Sequence, residues 1–163
     1  FVTALLNGDA RLREIREQLA GVASGIGKNI DDCKVALLRC AFASDDQAEI
    51  DRYLDCARYS RRISEALRFR RAQQDDGFLV KEDVSPNDQS FEQMRANLPV
   101  GSVNRVIDRM LEEISILKPK HIAIQTQIGD FDHKTMLKQI ELWGTRIIPA
   151  IRKELGVSAV AAE

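Results

Sequence analysis

The sequence is poor in the residues that build metal sites and disulfide frameworks. Among 163 residues it has 3 cysteines and 2 histidines. Cys33, Cys40 and Cys56 form no C-x-x-C pair, and their odd number argues against a disulfide framework. His121 and His133 belong to no H-E-x-x-H or similar zinc motif. We therefore expect no bound metal ion, and free thiols in a reducing cytoplasm.

Long apolar runs and an excess of one charge sign are also absent. No apolar run approaches the ~20 residues that a membrane-spanning helix needs. The 24 Lys and Arg residues nearly balance the 25 Asp and Glu residues, so no overall field favours nucleic acid or a membrane. Because 44% of the residues are hydrophobic, the chain has material for a core and is not disordered throughout. This composition predicts a soluble cytoplasmic protein with no nucleic-acid or membrane partner.

What the first half does contain is an alternation of strand and helix patterns. A short apolar segment precedes Asp9, which can cap a helix whose apolar residues recur at helical spacing. Residues 35–42 form an apolar run interrupted only by Arg39, which is typical of a strand buried between two layers. Ser44 or Asp45 is then expected to cap the next helix.

The second half continues the alternation. Ser102 is expected to cap a strongly amphipathic helix that Pro119 ends. Residues 121–128 alternate between apolar and polar side chains, as strands do. Asp132 can cap a final helix, in which Pro149 predicts a kink just before it because proline lacks an amide hydrogen. Strands and helices in this order predict an α/β fold with parallel strands.

Two glutamines in the strand over 121–128 are candidates for chemistry. If the isoleucine face packs on helices, Gln125 and Gln127 point to the opposite side, which is the interior in a barrel. They stand at the carboxyl end of the strand, where parallel α/β folds place their sites. Two interpretations stay open: the amides bond to neighbouring side chains or ordered water, or they contact a ligand.

A cluster of six arginines is the second candidate. Residues 58–71 contain six arginines and a single acid, Glu65, but acidic residues flank the cluster on both sides. A solvated helix face or a subunit contact is one interpretation. An anion held by a lid arginine, or a surface for nucleic acid or a partner protein, is another. Residues 73–97 then lack clear periodicity, which predicts a lid or a mobile segment.

Three segments resemble the carboxyl-terminal end of the bacterial luciferase-like flavin monooxygenases. Residues 100–107 are similar to the family's G-S-P-E-x-V helix start, although Val103 replaces the usual proline. Residues 142–152 are similar to its closing V-I-P-x-L-R pattern, and residues 38–49 to its R-x-x-x-V-A-x-T-x-x-E-A passage. The order and spacing of these segments agree over residues 35–152.

The resemblance implies a (β/α)8 barrel with a flavin at the carboxyl ends of its strands. It also implies reduced FMN from a separate flavin reductase, molecular oxygen as co-substrate, a small organic substrate, and a homodimer or heterodimer. Residues 73–97 match the place of the family's active-site lid. On this basis the whole chain, 1–163, is the carboxyl-terminal part of one barrel domain. Its abrupt start then predicts a truncation, unpaired strand edges and an unclosed apolar face.

The resemblance transfers no catalytic residue, because the family's flavin contacts come mostly from its amino-terminal half. Three positions are candidates for binding the cofactor or lining the substrate site: Gln125, Gln127 and Gly129. Three more are lid candidates: Arg70, Arg71 and Lys81. The alternatives are a non-catalytic or deazaflavin-dependent relative, or an α/β interaction module that uses the basic helix over 58–71.

Overall fold

The computed structural model describes residues 2–4, 6–71, 73–81, 84 and 88–157. In chain order its elements are β1 (Val2–Thr3), α1 (Asp9–Gly25), β2 (Ala36–Cys40), β3 (Phe42–Ala43), α2 (Gln47–Arg68), β4 (Gln73–Asp75), β5 (Phe78–Lys81), α3 (Phe91–Asn97), β6 (Val100–Gly101), α4 (Val103–Leu117), β7 (His121–Gln125), α5 (His133–Leu142) and α6 (Ile148–Glu154). Among these helices, none combines the length and apolar composition that crossing a bilayer requires.

Parallel strand pairs form the centre of the molecule, as the alternating pattern predicts. β2 lies between β1 and β7, and Cys40 at its carboxyl end pairs with Gln125. β3 pairs in parallel with β6. The strand predicted over 35–42 is thus two strands interrupted at Ala41, because beyond this residue the chain exchanges its neighbours β1 and β7 for β6. In the described part of the chain, β1 and β7 each keep one unpaired edge, so the sheet is open.

One face of the sheet is covered by α1, α4 and the carboxyl-terminal helices. Leu37 packs there with Leu12 of α1 and Leu117 of α4. Ile122 and Ile124 of β7 pack against the cluster that contains Trp143. The isoleucine face of this strand is therefore directed toward the helices, as predicted.

The opposite face is covered only toward the carboxyl ends of the strands, by α2 and α3. The ring of Phe42 stacks on that of Tyr53 in α2, with centroids 4.8 Å apart. Nearer the amino ends of the strands, Leu38 is half-buried and Ala123 is exposed. This end of the face is open, in agreement with the unclosed apolar face that the sequence predicts.

A groove runs beside β7, and we call it the β7 groove. Its shared lining consists of Ile122, Ile124, Trp143 and Ile148, and two adjoining cavities of about 360 and 370 Å³ open onto these residues. The indole N–H of Trp143 is buried and has no hydrogen-bond partner within the described residues. A buried donor without an acceptor is costly, so this groove is an incompletely satisfied surface.

Two predicted helix caps are wrong, and each for a physical reason. The N-cap of α1 is Gly8, and the Asp9 carboxylate instead accepts from the Arg109 guanidinium at 2.9 Å. The N-cap of α2 is Asp46 rather than Ser44 or Asp45. Ser44 lies two residues before this cap, and its hydroxyl accepts a hydrogen bond from the Asp46 backbone N–H at 3.0 Å.

Other predicted helix boundaries are confirmed. Ser102 caps α4 and Asp132 caps α5, each by accepting a backbone N–H three residues on. α4 ends at Leu117, two residues before Pro119. A π-helical turn over Trp143–Ile147 separates α5 from α6, two residues before Pro149, which is the irregularity that this proline predicts.

The segment over 73–97 contains more regular structure than its lack of periodicity indicates. β4 and β5 form a hairpin whose turn residues Asp76 and Gly77 both have positive φ, as in a type I′ turn. A capping box between Ser90 and Gln93 then starts α3. Residues 82–83 and 85–87 of this predicted lid lie outside the described residues.

Candidate functional site

A cleft of about 240 Å³ opens at the carboxyl ends of β2 and β7. Its floor is apolar, and one wall is the polar side of α2. The floor residues are Leu6, Cys40, Ala57 and Ile128. The α2 wall consists of Ser60, Arg61, Ser64, Glu65 and Arg68, and Gln125 lines the cleft from the end of β7. Carboxyl strand ends are where parallel α/β folds place ligands, so this cleft is the candidate site.

The α2 wall gathers its charges through helical spacing. Arg61, Glu65 and Arg68 are three or four residues apart, which places them on one side of the helix. The Arg61 Nε donates to Glu65 Oε1 at 2.8 Å, and both side chains are partly buried. Arg68 has no acidic partner within the described residues, and its guanidinium lies 5.4 Å from the centre of the Phe69 ring. The wall therefore carries one uncompensated positive charge.

Gln125 is fixed through its backbone while its side chain is left without a partner. The Tyr53 hydroxyl donates to the Gln125 carbonyl at 2.5 Å. Burial raises the pKa of Tyr53 well above its usual value, so this hydroxyl remains a protonated donor. The amide side chain of Gln125 is half-buried and makes no hydrogen bond to any described residue. Ordered water or a ligand would therefore supply the partner of this amide, and both predictions for the residue stay open.

Cys40 contributes shape rather than reactivity to the floor. Its side chain is buried, and burial raises the pKa of its thiol to about 11. A thiol with this pKa is almost entirely protonated at neutral pH and is a poor nucleophile. The described geometry therefore gives the cleft no nucleophilic cysteine.

The other two candidates after β7 do not join Gln125 in the cleft. Gln127 lies beyond the end of the strand and is exposed. Gly129 has φ of 73°, and a Cβ atom at this position would lie 2.5 Å from the Cys56 sulfur of α2. A glycine is needed here because the loop approaches α2 closely in a left-handed conformation. These positions remain predictions for a ligand that extends beyond the cleft.

The lid candidates lie around the β4–β5 hairpin, outside the cleft. Arg70, Arg71 and Lys81 are all exposed, and the Arg71 guanidinium is 5.4 Å from the Phe69 ring centre. Phe78 and Val80 on the hairpin are exposed as well. The hairpin begins at Gln73, five residues after Arg68, so it follows the charged wall of the cleft closely along the chain.

Half of the arginines over 58–71 are neutralised by nearby acids. Arg58 pairs with Asp55 at 2.9 Å, and the Arg62 Nε donates to Asp88 at 3.0 Å. Arg61 pairs with Glu65, as described above. The basic helix therefore does not present a continuous cationic stripe.

A buried ion pair lies on the helix-covered face of the sheet and was not predicted from the sequence. The Arg39 guanidinium donates to both carboxylate oxygens of Glu113 in α4, at 2.8 and 2.5 Å, and both side chains are fully buried. It also donates to the Asn97 carbonyl at 2.7 Å and to the Ala4 carbonyl. Burial raises the pKa of Glu113, and the contact with Arg39 opposes that rise. The signal in the sequence is the single arginine inside an apolar run.

Gln139 of α5 is a second buried polar residue that the sequence analysis missed. Its side-chain carbonyl accepts from the Ala43 N–H at 2.9 Å, and its NH2 group donates to the Ala43 carbonyl at 2.7 Å. Gln139 thus bonds the N–H and the carbonyl of Ala43 on the side of β3 that pairs with no described strand. Its role is to hold the carboxyl end of the strand, since it is fully buried and away from the cleft.

Comparison with known proteins identifies a sequence relative and a solved structure with a similar fold. No family model matches the chain. The chain is 58% identical over 158 residues to uncharacterized protein y4vJ of Sinorhizobium fredii, an alignment that covers 97% of this chain and 45% of that protein. It is also similar to the solved structure of EDTA monooxygenase (EmoA) from Chelativorans sp. BNC1, with a TM-score of 0.58 and 16% identity over 99% of this chain and 43% of that one.

The chain shares its fold with part of that enzyme. It spans less than half the length of both proteins. Pockets that enclose drug-sized ligands measure about 300–1,000 Å³, whereas the cleft measures about 240 Å³. The described residues therefore do not enclose a flavin by themselves.

Proposed function

We propose that the chain is part of a flavin-dependent monooxygenase of the luciferase-like type. The observation that carries the proposal is the fold similarity to EDTA monooxygenase over 99% of the chain. The three sequence segments that resemble luciferase-like monooxygenases lie in the same order along the chain. The cleft at the carboxyl ends of β2 and β7 supports the proposal, since this is the functional end of such folds.

The proposal places the chain in a (β/α)8 barrel. The unpaired edge of β7, the β7 groove and the unsatisfied indole N–H of Trp143 support it. In a barrel these surfaces face a further strand and its helix, which supply the missing acceptors and apolar cover. A barrel of this kind has about 250 residues, so the described strands account for part of one.

The cofactor in this proposal is reduced FMN from a separate flavin reductase, and the enzyme is a cytoplasmic dimer acting on a small organic substrate. If bound, reduced flavin would supply the two electrons needed for one atom of O2 to be reduced to water while the other atom enters the substrate. Gln125, which lines the cleft, would face the substrate, and the β4–β5 hairpin with Arg70, Arg71 and Lys81 would move from its place beyond α2 to cover the site. Closure of such a cover would exclude water from the reaction.

The test is an anaerobic titration of the intact protein with reduced FMN, followed by fluorescence and equilibrium dialysis. We expect saturable binding of one flavin per site and substrate-dependent consumption of O2 once air is admitted. A parallel titration with a reduced deazaflavin separates the relative that transfers hydride. Binding of neither flavin to the intact protein would contradict the proposal.

A further inference from the structure

The charged wall of the cleft is arranged for an anion. Arg61 is neutralised by Glu65, whereas Arg68, on the same side of α2, has no acidic partner within the described residues. Opposite this wall, the half-buried amide of Gln125 also lacks a partner there. The side-chain amide of Asn7, which also lines the cleft, has no partner among the described residues either, so the groups left over are a permanent cation and two donor-bearing amides. Their complement is an acceptor with a negative charge.

The hydroxyls of α2 fit the same ligand. Ser60 and Ser64 both line the cleft, and the Ser64 hydroxyl already donates to the Ser60 carbonyl at 2.9 Å. Its proton is therefore committed to the helix backbone, but the Ser60 hydroxyl can still donate toward the cleft. No ionised acid other than Glu65 lines this space, and Glu65 is engaged by Arg61.

The floor decides which anion fits. Leu6, Ala57 and Ile128 present apolar surface below the polar wall, in a space of about 240 Å³. An inorganic anion would leave this surface against water. A short aliphatic chain would cover it, while its charged end reaches the arginine. The cleft thus matches a molecule with a small apolar body and one anionic group.

We infer that the cleft binds the carboxylate of a small organic acid, with Arg68 as its cationic partner and Gln125 as a second donor. This inference rests on the proposed function insofar as the acid is the substrate. Arginine holds a carboxylate through paired N–H donors, and the NH2 group of Gln125 can donate a further hydrogen bond to it. Arg68 and Gln125 are binding residues in this assignment and take no part in oxygen chemistry.

Butyrate is a suitable probe, because it joins a three-carbon body to one carboxylate. Its binding to the intact protein is followed by NMR chemical-shift perturbation, with butyramide as the uncharged probe of similar shape. We expect butyrate to bind, butyramide to bind at least tenfold more weakly, and Arg68→Gln to weaken butyrate by about tenfold, as expected for loss of a charge-assisted hydrogen bond. Gln125→Ala should weaken it less.

Arg13→Gln is the matched control, because Arg13 is an exposed arginine on another helix, α1, and does not line the cleft. Its affinity for butyrate should equal that of the parent. The inference is overturned if butyrate does not bind, if Arg68→Gln leaves its affinity unchanged, or if butyramide binds equally well. Tighter binding of inorganic phosphate at Arg68 would also overturn it in favour of a phosphate site.

The flavin titration separates this inference from the proposed function. Arg68-dependent binding of butyrate without any flavin binding would retain the carboxylate site and contradict the monooxygenase. Flavin binding with no response to butyrate would retain the monooxygenase and contradict the carboxylate site.

Discussion

The two faces of the sheet differ in how their polar side chains are satisfied. On the face covered by α1 and α4, Arg39 and Glu113 are fully buried and bonded to each other. Gln139, also fully buried, forms two hydrogen bonds with the backbone of Ala43. In the cleft on the other face, the side chains of Gln125 and Arg68 find no such partners among the described residues.

This contrast separates residues that hold the fold from residues whose polar side chains have no partner among the described residues. A buried polar group without a partner costs roughly 1–3 kcal/mol, so native structures satisfy such groups or keep them near water or a ligand. Two glutamines in one molecule illustrate both outcomes. Gln139 is enclosed and saturated, whereas Gln125 lines an opening and is not.

The largest effect on stability is expected from removing one partner of the buried ion pair on the face covered by α1 and α4. Glu113→Ala leaves the Arg39 guanidinium buried without its carboxylate, and we expect a loss of about 3–5 kcal/mol in the free energy of unfolding. Urea denaturation measures it. Glu112→Ala, one residue away and exposed, is the control and should cost below about 1 kcal/mol.

A double variant shows whether the loss of stability comes from the buried, unpaired charge of Arg39. Replacing both partners by apolar residues, Arg39→Met with Glu113→Leu, removes the unpaired charge and should recover much of the loss. Equal losses in Glu113→Ala and Glu112→Ala would show that the buried pair does not support this face.

The β7 groove offers a test of the barrel. Ile140 is 64% exposed in the described structure but borders the groove. If further strands and helices cover the groove in the intact protein, Ile140→Lys buries a charge and should cost about 2 kcal/mol or more. Val80→Lys on the hairpin is matched at 60% exposure and should change stability little. Equal effects of the two variants would count against the barrel.

The smallest effect expected is at the exposed N-cap of α5. Hydrogen bonds from Thr135 lower the pKa of Asp132, the N-cap of α5. Its stabilisation is therefore complete above its unfolded pKa, near 3.8, and is lost as pH falls through the lower folded value. Asp132→Ala should lower the melting temperature slightly at pH 7, and the difference should shrink below pH 3.8.

Asp132→Asn is the control for this cap, because asparagine keeps the acceptor without the charge. It should retain most of the stability of the parent at pH 7 and show a weaker dependence on pH. A difference between Asp132→Ala and the parent that persists unchanged into strong acid would contradict the assignment of the carboxylate as the cap.

What could be predicted from the sequence was set by local chemistry. The alternation in β7 placed Ile122 and Ile124 against the helices, and Ser102 and Asp132 marked helix starts because caps depend on residues two or three positions away. The partner of Arg39 could not be predicted, since Glu113 lies 74 residues further along the chain. For the same reason, the long-range pairing of Asp9 with Arg109 was mistaken for a cap.

The candidate site was likewise predictable only where it depends on local sequence. The strand pattern correctly placed Gln125 at a carboxyl strand end, but the α2 wall opposite it depends on tertiary packing that no local motif encodes. The β4–β5 hairpin was missed because both of its strands are short and exposed, although Asp76-Gly77 is a recognised hairpin turn.

The most direct test of the contrast between the two faces measures both glutamines in two assays. Gln139→Ala and Gln125→Ala are compared for the free energy of unfolding and for butyrate affinity in the intact protein. We expect a crossed result. Gln139→Ala should lose about 2 kcal/mol or more of stability, because two buried backbone groups lose their partners. Gln125→Ala should retain its stability and bind butyrate more weakly. Equal stability losses in the two variants, with butyrate affinity unchanged in Gln125→Ala, would contradict it.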